Sequence, residues 1–213
     1  MRQAAISFRS KRLTLDGVLS TPEQSNGDPA AVLVCHSHPT LGGSMSDPVV
    51  MAICQAADGA GMATLRFNFR GVGESEGKFT NGEEEGHDVK AALDTLRKWP
   101  GIDGDRVAIA GYSLGAAIIL DDLKRLKRAQ AIALVAPTVA SLRNPKFVGD
   151  KRPKLVVAGQ NDKVAPSLEL QRELDAVRQP VKFAEMLGAD HSMKGHEAEI
   201  GRLVSEFMGD ALR

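Results

Sequence analysis

The sequence predicts an α/β fold: a mostly parallel, twisted sheet of about eight strands with helices on both faces and no cap domain. Three observations lead there. From residue 30 onward, short continuous apolar runs alternate with longer amphipathic stretches, the rhythm of strands buried on both faces and of the helices covering them. The 213 residues suit one domain over 1–213. Hydrophobic residues make up 43% of the chain but aromatics only 4%, so Val, Ile, Leu, Ala and Met must fill the core.

Each element has its own signal. Residues 4–10 and 13–21 alternate as a hairpin of strands, and Ser25-Asn26-Gly27-Asp28-Pro29 is a turn cluster. Residues 30–35 read as the first strand buried on both faces. A helix follows over 47–60, with Pro48 tolerated in its first turn and Gly61 just past its end. Strand 62–69 leads through a Gly-rich loop, 70–81, to a helix over 82–99. The first turn of that helix holds Glu83, Glu84 and Glu85, acids where the macrodipole favours them. Strand 106–112, helix 114–126, strands 131–136 and 154–159, helix 166–177, strand 181–186 and helix 197–212 complete the series. Ligands of such a sheet bind at the carboxyl ends of its strands.

Charge and cysteine content narrow the function classes. The 27 basic and 27 acidic residues cancel, leaving no global field for nucleic acid or an anionic membrane. Cys35 and Cys54 both fall in apolar patterns and read as small buried hydrophobes rather than a disulfide. The first residues, MRQAAISFRSKRLTLDG, lack the apolar centre of a secretion signal, and no run approaches the ~20 apolar residues of a membrane span. The expectation is a soluble, cytoplasmic protein.

Residues 107–118, VAIAGYSLGAAI, carry the strongest chemical signal. A strand, a tight turn and a helix meet at Ser113, with Gly111 and Gly115 removing Cβ atoms where backbones converge. Ser113 then sits at a helix N-terminus, where N–H groups and the dipole favour developing negative charge. Gly73-Glu74-Ser75-Glu76-Gly77 matches the same G-x-S-x-G pattern and serves as a control. Two carboxylates flank Ser75 and no apolar helix follows, so it reads as a loop residue.

A serine nucleophile needs a base, and the base an orienting acid. His191 lies in the loop leaving strand 181–186, and Asp162 sits three residues past strand 154–159. Ser113, Asp162 and His191 thus each follow a predicted strand, placing them at one sheet edge in the order Ser, Asp, His.

The stretches HSHPTLGGSM (36–45), RFNFRGVGESEG (66–77), GYSLG (111–115), GQNDKV (159–164) and GADHSM (188–193) resemble the α/β-hydrolase superfamily over nearly the whole chain. More narrowly they resemble small uncapped bacterial serine hydrolases of the dienelactone-hydrolase-like and acyl-peptidase-like branches. The resemblance implies Ser113 as nucleophile, His191 as general base and acid, and Asp162 as orienter. It also implies an oxyanion hole made by the Leu114 N–H and one N–H of the loop after Cys35. Pro39 has no N–H, so His38 is the expected second donor, with Thr40 as the alternative. True dienelactone hydrolases use a cysteine nucleophile, so Ser113 departs from that activity.

His36-Ser37-His38 has strand spacing for a metal pair but lacks the further ligands of a metal-dependent hydrolase, so a structural or oxyanion-loop role is expected. His196 rivals His191 but opens a helix, and Asp190 rivals Asp162 but adjoins His191 and suits a local turn. His87 is expected at the surface. Gly71, Gly73 and Gly77 fit no phosphate-loop spacing. Lys124-Arg125-Leu126-Lys127-Arg128 reads as a solvated helix C-terminus.

These residues predict a serine hydrolase, carboxylesterase-like, acting on a small-molecule acyl substrate without metal or organic cofactor. A peptidase or thioesterase on the same scaffold is the alternative, as is a non-catalytic binding protein. The segment 138–153 is too short for a helical cap. An open site is therefore expected, shaped by loops 36–48 and 70–82 and tolerant of varied acyl groups.

Overall fold

The computed structural model describes residues 2–23 and 27–213, so Ser25 and Asn26 of the predicted turn cluster lie outside the described residues. Eight strands, β1 (Arg2–Ser10), β2 (Leu13–Thr21), β3 (Ala31–Cys35), β4 (Ala63–Phe67), β5 (Val107–Tyr112), β6 (Ile132–Val135), β7 (Lys154–Gly159) and β8 (Val181–Met186), form one sheet. Its order is β1-β2-β4-β3-β5-β6-β7-β8. The β1–β2 and β2–β4 pairs are antiparallel, and every pair from β4 across to β8 is parallel.

Helices α1 (Pro48–Gly59), α2 (Glu85–Arg97), α3 (Leu114–Asp121), α4 (Val139–Leu142), α5 (Pro145–Val148), α6 (Ser167–Leu174) and α7 (Glu197–Ala211) cover the sheet. Because successive strand residues point to opposite faces, each central strand feeds two cores. Ala31, Leu33 and Cys35 pack with α2 and α3, whereas Val32 and Val34 pack with α1 and α7. That double burial explains why the central strands read as continuous apolar runs rather than alternating ones. The two cysteines belong to different layers, Cys35 to the first and Cys54 to the second. Among the described residues no helix is long and apolar enough to cross a membrane.

The order of strands reverses at β3. The chain leaves β3 through α1 to reach β4 on one side, then returns through α2 to β5 on the other. Loops after β3 and β5 therefore part company at the carboxyl edge, leaving the crevice where open α/β sheets hold ligands.

Helix ends depart from expectation where tertiary contacts decide them. α2 begins at Glu85, so Glu83 and Glu84 precede it. The Glu85 carboxylate instead accepts the Thr80 and Gly82 N–H groups, each at 2.7 Å, and draws the preceding loop into a turn. α3 stops at Asp121, so the run from Lys124 to Arg128 lies in the turns that follow and is not a helix C-terminus. Leu123 and Leu126 bury there, and Arg152 takes the Leu126 and Ala129 carbonyls. The 138–153 segment holds two one-turn helices, α4 and α5.

Arg70 anchors the Gly-rich loop from beneath. Its Nε and Nη2 meet the two Asp88 carboxylate oxygens at 2.9 and 2.8 Å, with Asp88 fully buried and also accepting Ser10 Oγ. A buried pair with every lone pair engaged fixes geometry more than it adds net stability.

Candidate active site

β5 is buried throughout and leads directly into Ser113, which takes φ 52° and ψ −109° before α3 begins. Such a conformation costs a residue with a side chain roughly 1–3 kcal/mol. The glycines on either side permit it in different ways. A Cβ on Gly111 would lie 2.7 Å from the Ala116 nitrogen, so that glycine lets α3 close onto its own strand. A Cβ on Gly115 would lie 2.6 Å from the Cys35 carbonyl oxygen, so this one lets α3 abut the end of β3.

The structure brings the three expected side chains together. Ser113 Oγ lies 2.9 Å from His191 Nε2, and His191 Nδ1 lies 2.8 Å from Asp162 Oδ2. An ionised carboxylate only accepts, so Nδ1 carries the proton and Nε2 is left to accept the serine hydroxyl. Asp162 is buried, and its other oxygen accepts the Val164 and Ala165 N–H groups at 2.8 Å each. The carboxylate is held from both ends.

Three residues that sequence reasoning missed set this alignment. Gln160 and Asn161 lace the loop after β7 to the loop after β8. Asn161 donates through its N–H to the Ala189 carbonyl and through Nδ2 to that of Gly188, while Gln160 Oε1 accepts the Gly188 N–H. Tyr112 donates its hydroxyl to the His191 carbonyl at 2.9 Å. Burial, and then the nearby Asp47, Asp162, Asp190 and Glu197 carboxylates, raise the Tyr112 pKa, so the phenol stays a donor. The run GQNDKV marked the place, but nothing in it named the partners.

The loop after β3 is braced by its own polar groups. His36 is fully buried, donating from Nδ1 to the Ser37 carbonyl and accepting the Phe69 N–H at Nε2. Burial pushes its pKa down to about 4, so the ring is neutral. With both nitrogens committed to backbone, His36 has none free for a metal. Ser37 Oγ donates to Asp47, whose other oxygen caps α1 by accepting the Val49 N–H.

His38 Nδ1 accepts from Thr40 N–H and Oγ1, and its carbonyl takes the N–H groups of Leu41 and Gly43. The Thr40 N–H, the alternative oxyanion donor, is thereby occupied. The N–H groups of His38 and Leu114 donate no hydrogen bond among the described residues.

The remaining candidates fall outside the constellation. Ser75 Oγ donates to Asp16 Oδ1 and accepts the Asp16 N–H, a buried structural role. Asp190 accepts the N–H and Oγ of Ser192, closing a local turn. His196 precedes α7 and makes no side-chain cap, and His87, on α2, lies half-buried beside Arg125 of the turns after α3.

A cavity of about 730 Å³ opens over Ser113 and His191, lined among others by His38, Leu41, Tyr112 and Val164. Loops after β3, β7 and β8 shape it. The 70–82 loop does not line it, contrary to expectation, because Arg70 and Glu85 draw that loop onto α2. Its Phe79 stands edge-on to His38, with centroids 5.0 Å apart.

Comparison with known proteins agrees with this architecture. Residues 29–207 match the family model described as serine aminopeptidase, S33. An α/β serine hydrolase homologue from Coxiella burnetii superposes with a TM-score of 0.84 at 30% identity, covering 97% of each chain. A lid-less α/β serine hydrolase from Xanthomonas campestris superposes with the same TM-score at 25% identity, covering 100% of this chain and 96% of that one. An uncharacterised protein of Rickettsia prowazekii is 29% identical over 184 residues, 83% of this chain and 77% of its own length.

Proposed function

The chain belongs to the serine aminopeptidase S33 family of hydrolases, and from that premise we propose that it is a lid-less serine hydrolase transferring the acyl group of small to medium carboxylic esters to water. The observation that carries the reading is the line from Ser113 Oγ through the His191 ring to Asp162, with gaps of 2.9 and 2.8 Å.

Ser113 Oγ attacks the ester carbonyl carbon as its proton passes to His191 Nε2, and Asp162 faces the imidazolium that forms. The carbonyl oxygen becomes an oxyanion that takes the Leu114 and His38 N–H groups, each donor contributing roughly 3–4 kcal/mol at the transition state. Collapse expels the alkoxide, which leaves as the alcohol with the Nε2 proton. Water then attacks the acyl-serine and gives its proton to Nε2. The second collapse returns that proton to Ser113 Oγ and releases the carboxylic acid.

Esters fit better than amides on physical grounds. An amide nitrogen must be protonated before it can depart, whereas an ester's alkoxide leaves the tetrahedral intermediate more readily. A second reading, amide hydrolysis at an aminoacyl group, draws support from the name of the matching family and from the Asp190 carboxylate at the cavity wall.

Covalent labelling by a fluorophosphonate tests the core of the reading. The wild-type protein is expected to label, and Ser113→Ala and His191→Ala to lose labelling. A folded wild-type protein that does not label overturns it in favour of a binding role. Turnover of p-nitrophenyl acetate, an acyl-CoA and an aminoacyl anilide then ranks ester, thioester and amide. Preference for the anilide overturns the ester assignment.

A further inference from the structure

The large apolar side chains most open to solvent among the described residues are Leu41, Val164, Leu168 and Leu187. All four stand at the carboxyl edge of the sheet. Leu41 follows β3, Val164 and Leu168 follow β7, and Leu187 follows β8 directly. Two of them, Leu41 at 85% exposure and Val164 at 61%, line the cavity over Ser113. In the order β3-β5-β6-β7, Ser113 follows β5 and therefore lies between the two loops that carry them.

Neither residue rides on loose backbone. Leu41 closes a 3₁₀ turn, Pro39–Leu41, and its N–H donates to the His38 carbonyl at 3.0 Å. The Val164 N–H donates to Asp162 Oδ1 at 2.8 Å, the same carboxylate that faces His191. Each apolar group is thus held at a fixed station beside the reacting atoms while its own surface is uncovered. The carboxylates of the cavity wall are already matched: Asp47 is bonded to Ser37 and Val49, and Asp190 to Ser192. Beside the Lys163 ammonium and the His38 N–H, the cavity presents uncovered apolar surface on either side of the serine.

We propose that Leu41 and Val164 are the specificity-determining residues of the site, one covering the aliphatic acyl chain of the ester and the other its apolar alcohol. The assignment rests on the ester-hydrolase reading above and narrows it to esters with aliphatic groups on both sides of the carbonyl. Each methylene covered is expected to raise kcat/KM about fourfold until the apolar wall ends.

Two ester series read the effect. One lengthens the acyl chain from acetyl to hexanoyl with ethanol as the alcohol, and the other lengthens the alcohol from ethanol to hexanol with acetyl fixed. Wild-type kcat/KM should climb along both. Leu41→Ser should flatten one series and Val164→Ser the other, and each variant should still label with the fluorophosphonate. The high exposure of both side chains makes misfolding of these variants a minor effect, and an unchanged melting temperature checks that. Length-independent rates in the wild type, or slopes that survive both substitutions, overturn the proposal while labelling keeps the parent reading intact. A protein that neither labels nor turns over any ester overturns both.

Discussion

The Tyr112 hydroxyl reaches the backbone carbonyl of His191 at 2.9 Å, tying the residue before Ser113 to the loop that carries the imidazole. Tyr112→Phe removes that donor and leaves a carbonyl without its partner. We expect kcat to fall about tenfold with KM little changed, and stability to fall by about 1–2 kcal/mol. Steady-state kinetics with thermal melts check this. An unchanged kcat with an unchanged melting temperature discards the tether.

Asp162→Asn keeps the shape of the acid but removes its charge. Oδ1 still accepts the Val164 and Ala165 N–H groups, so the loop should hold. The His191 tautomer should not, because an amide facing Nδ1 no longer requires the proton there. A loss in kcat of about 10³–10⁴-fold is expected, with a near wild-type melting curve. A loss below tenfold would move the orienting role to another acid.

Gly115→Ala drives a methyl group to 2.6 Å from the Cys35 carbonyl oxygen and 2.7 Å from that of His36. Both are backbone atoms at the end of a central strand and have little room to yield. A loss of about 2 kcal/mol or more is expected in chemical denaturation. Residual activity should fall further than stability alone predicts, because the displaced segment carries His38.

His36 makes stability depend on pH. Its pKa is about 4 when folded against an ordinary 6.5, the cause being burial. Above pH 6.5 the ring is neutral folded and unfolded, and its contribution is complete. As pH falls from 6.5 towards 4 the unfolded chain takes up a proton that the folded one refuses, so stability declines across that window. The full shift corresponds to about 3 kcal/mol. His36→Gln keeps hydrogen-bonding atoms without titrating. Denaturation at pH 7, 5.5 and 4 should show a shallower decline for the variant than for the wild type. Parallel curves would remove His36 from the account.

Much of this was legible because strand ends can be read from apolar runs. Ser113, Asp162 and His191 each follow such a run, and a parallel sheet delivers the ends of its strands to one edge. The tethers were not legible. Gln160, Asn161 and Tyr112 act on backbone carbonyls of a distant loop, and which carbonyls they meet depends on the β7–β8 register. Helix ends failed for a related reason. The start of α2 is set by Glu85 gathering N–H groups from Thr80 and Gly82, and the end of α3 by Leu123 and Leu126 turning inward. The Gly-rich loop looked like a wall of the cavity until Arg70 and Asp88 placed it against α2.

The positive φ of Ser113 sets chemistry against durability at a single codon. Glycine adopts φ 52° without the clash that a side chain brings, so Ser113→Gly should melt higher than the wild type, by roughly 1 kcal/mol. Under the proposed function, a library screened only for heat resistance should therefore enrich inactive protein at this position.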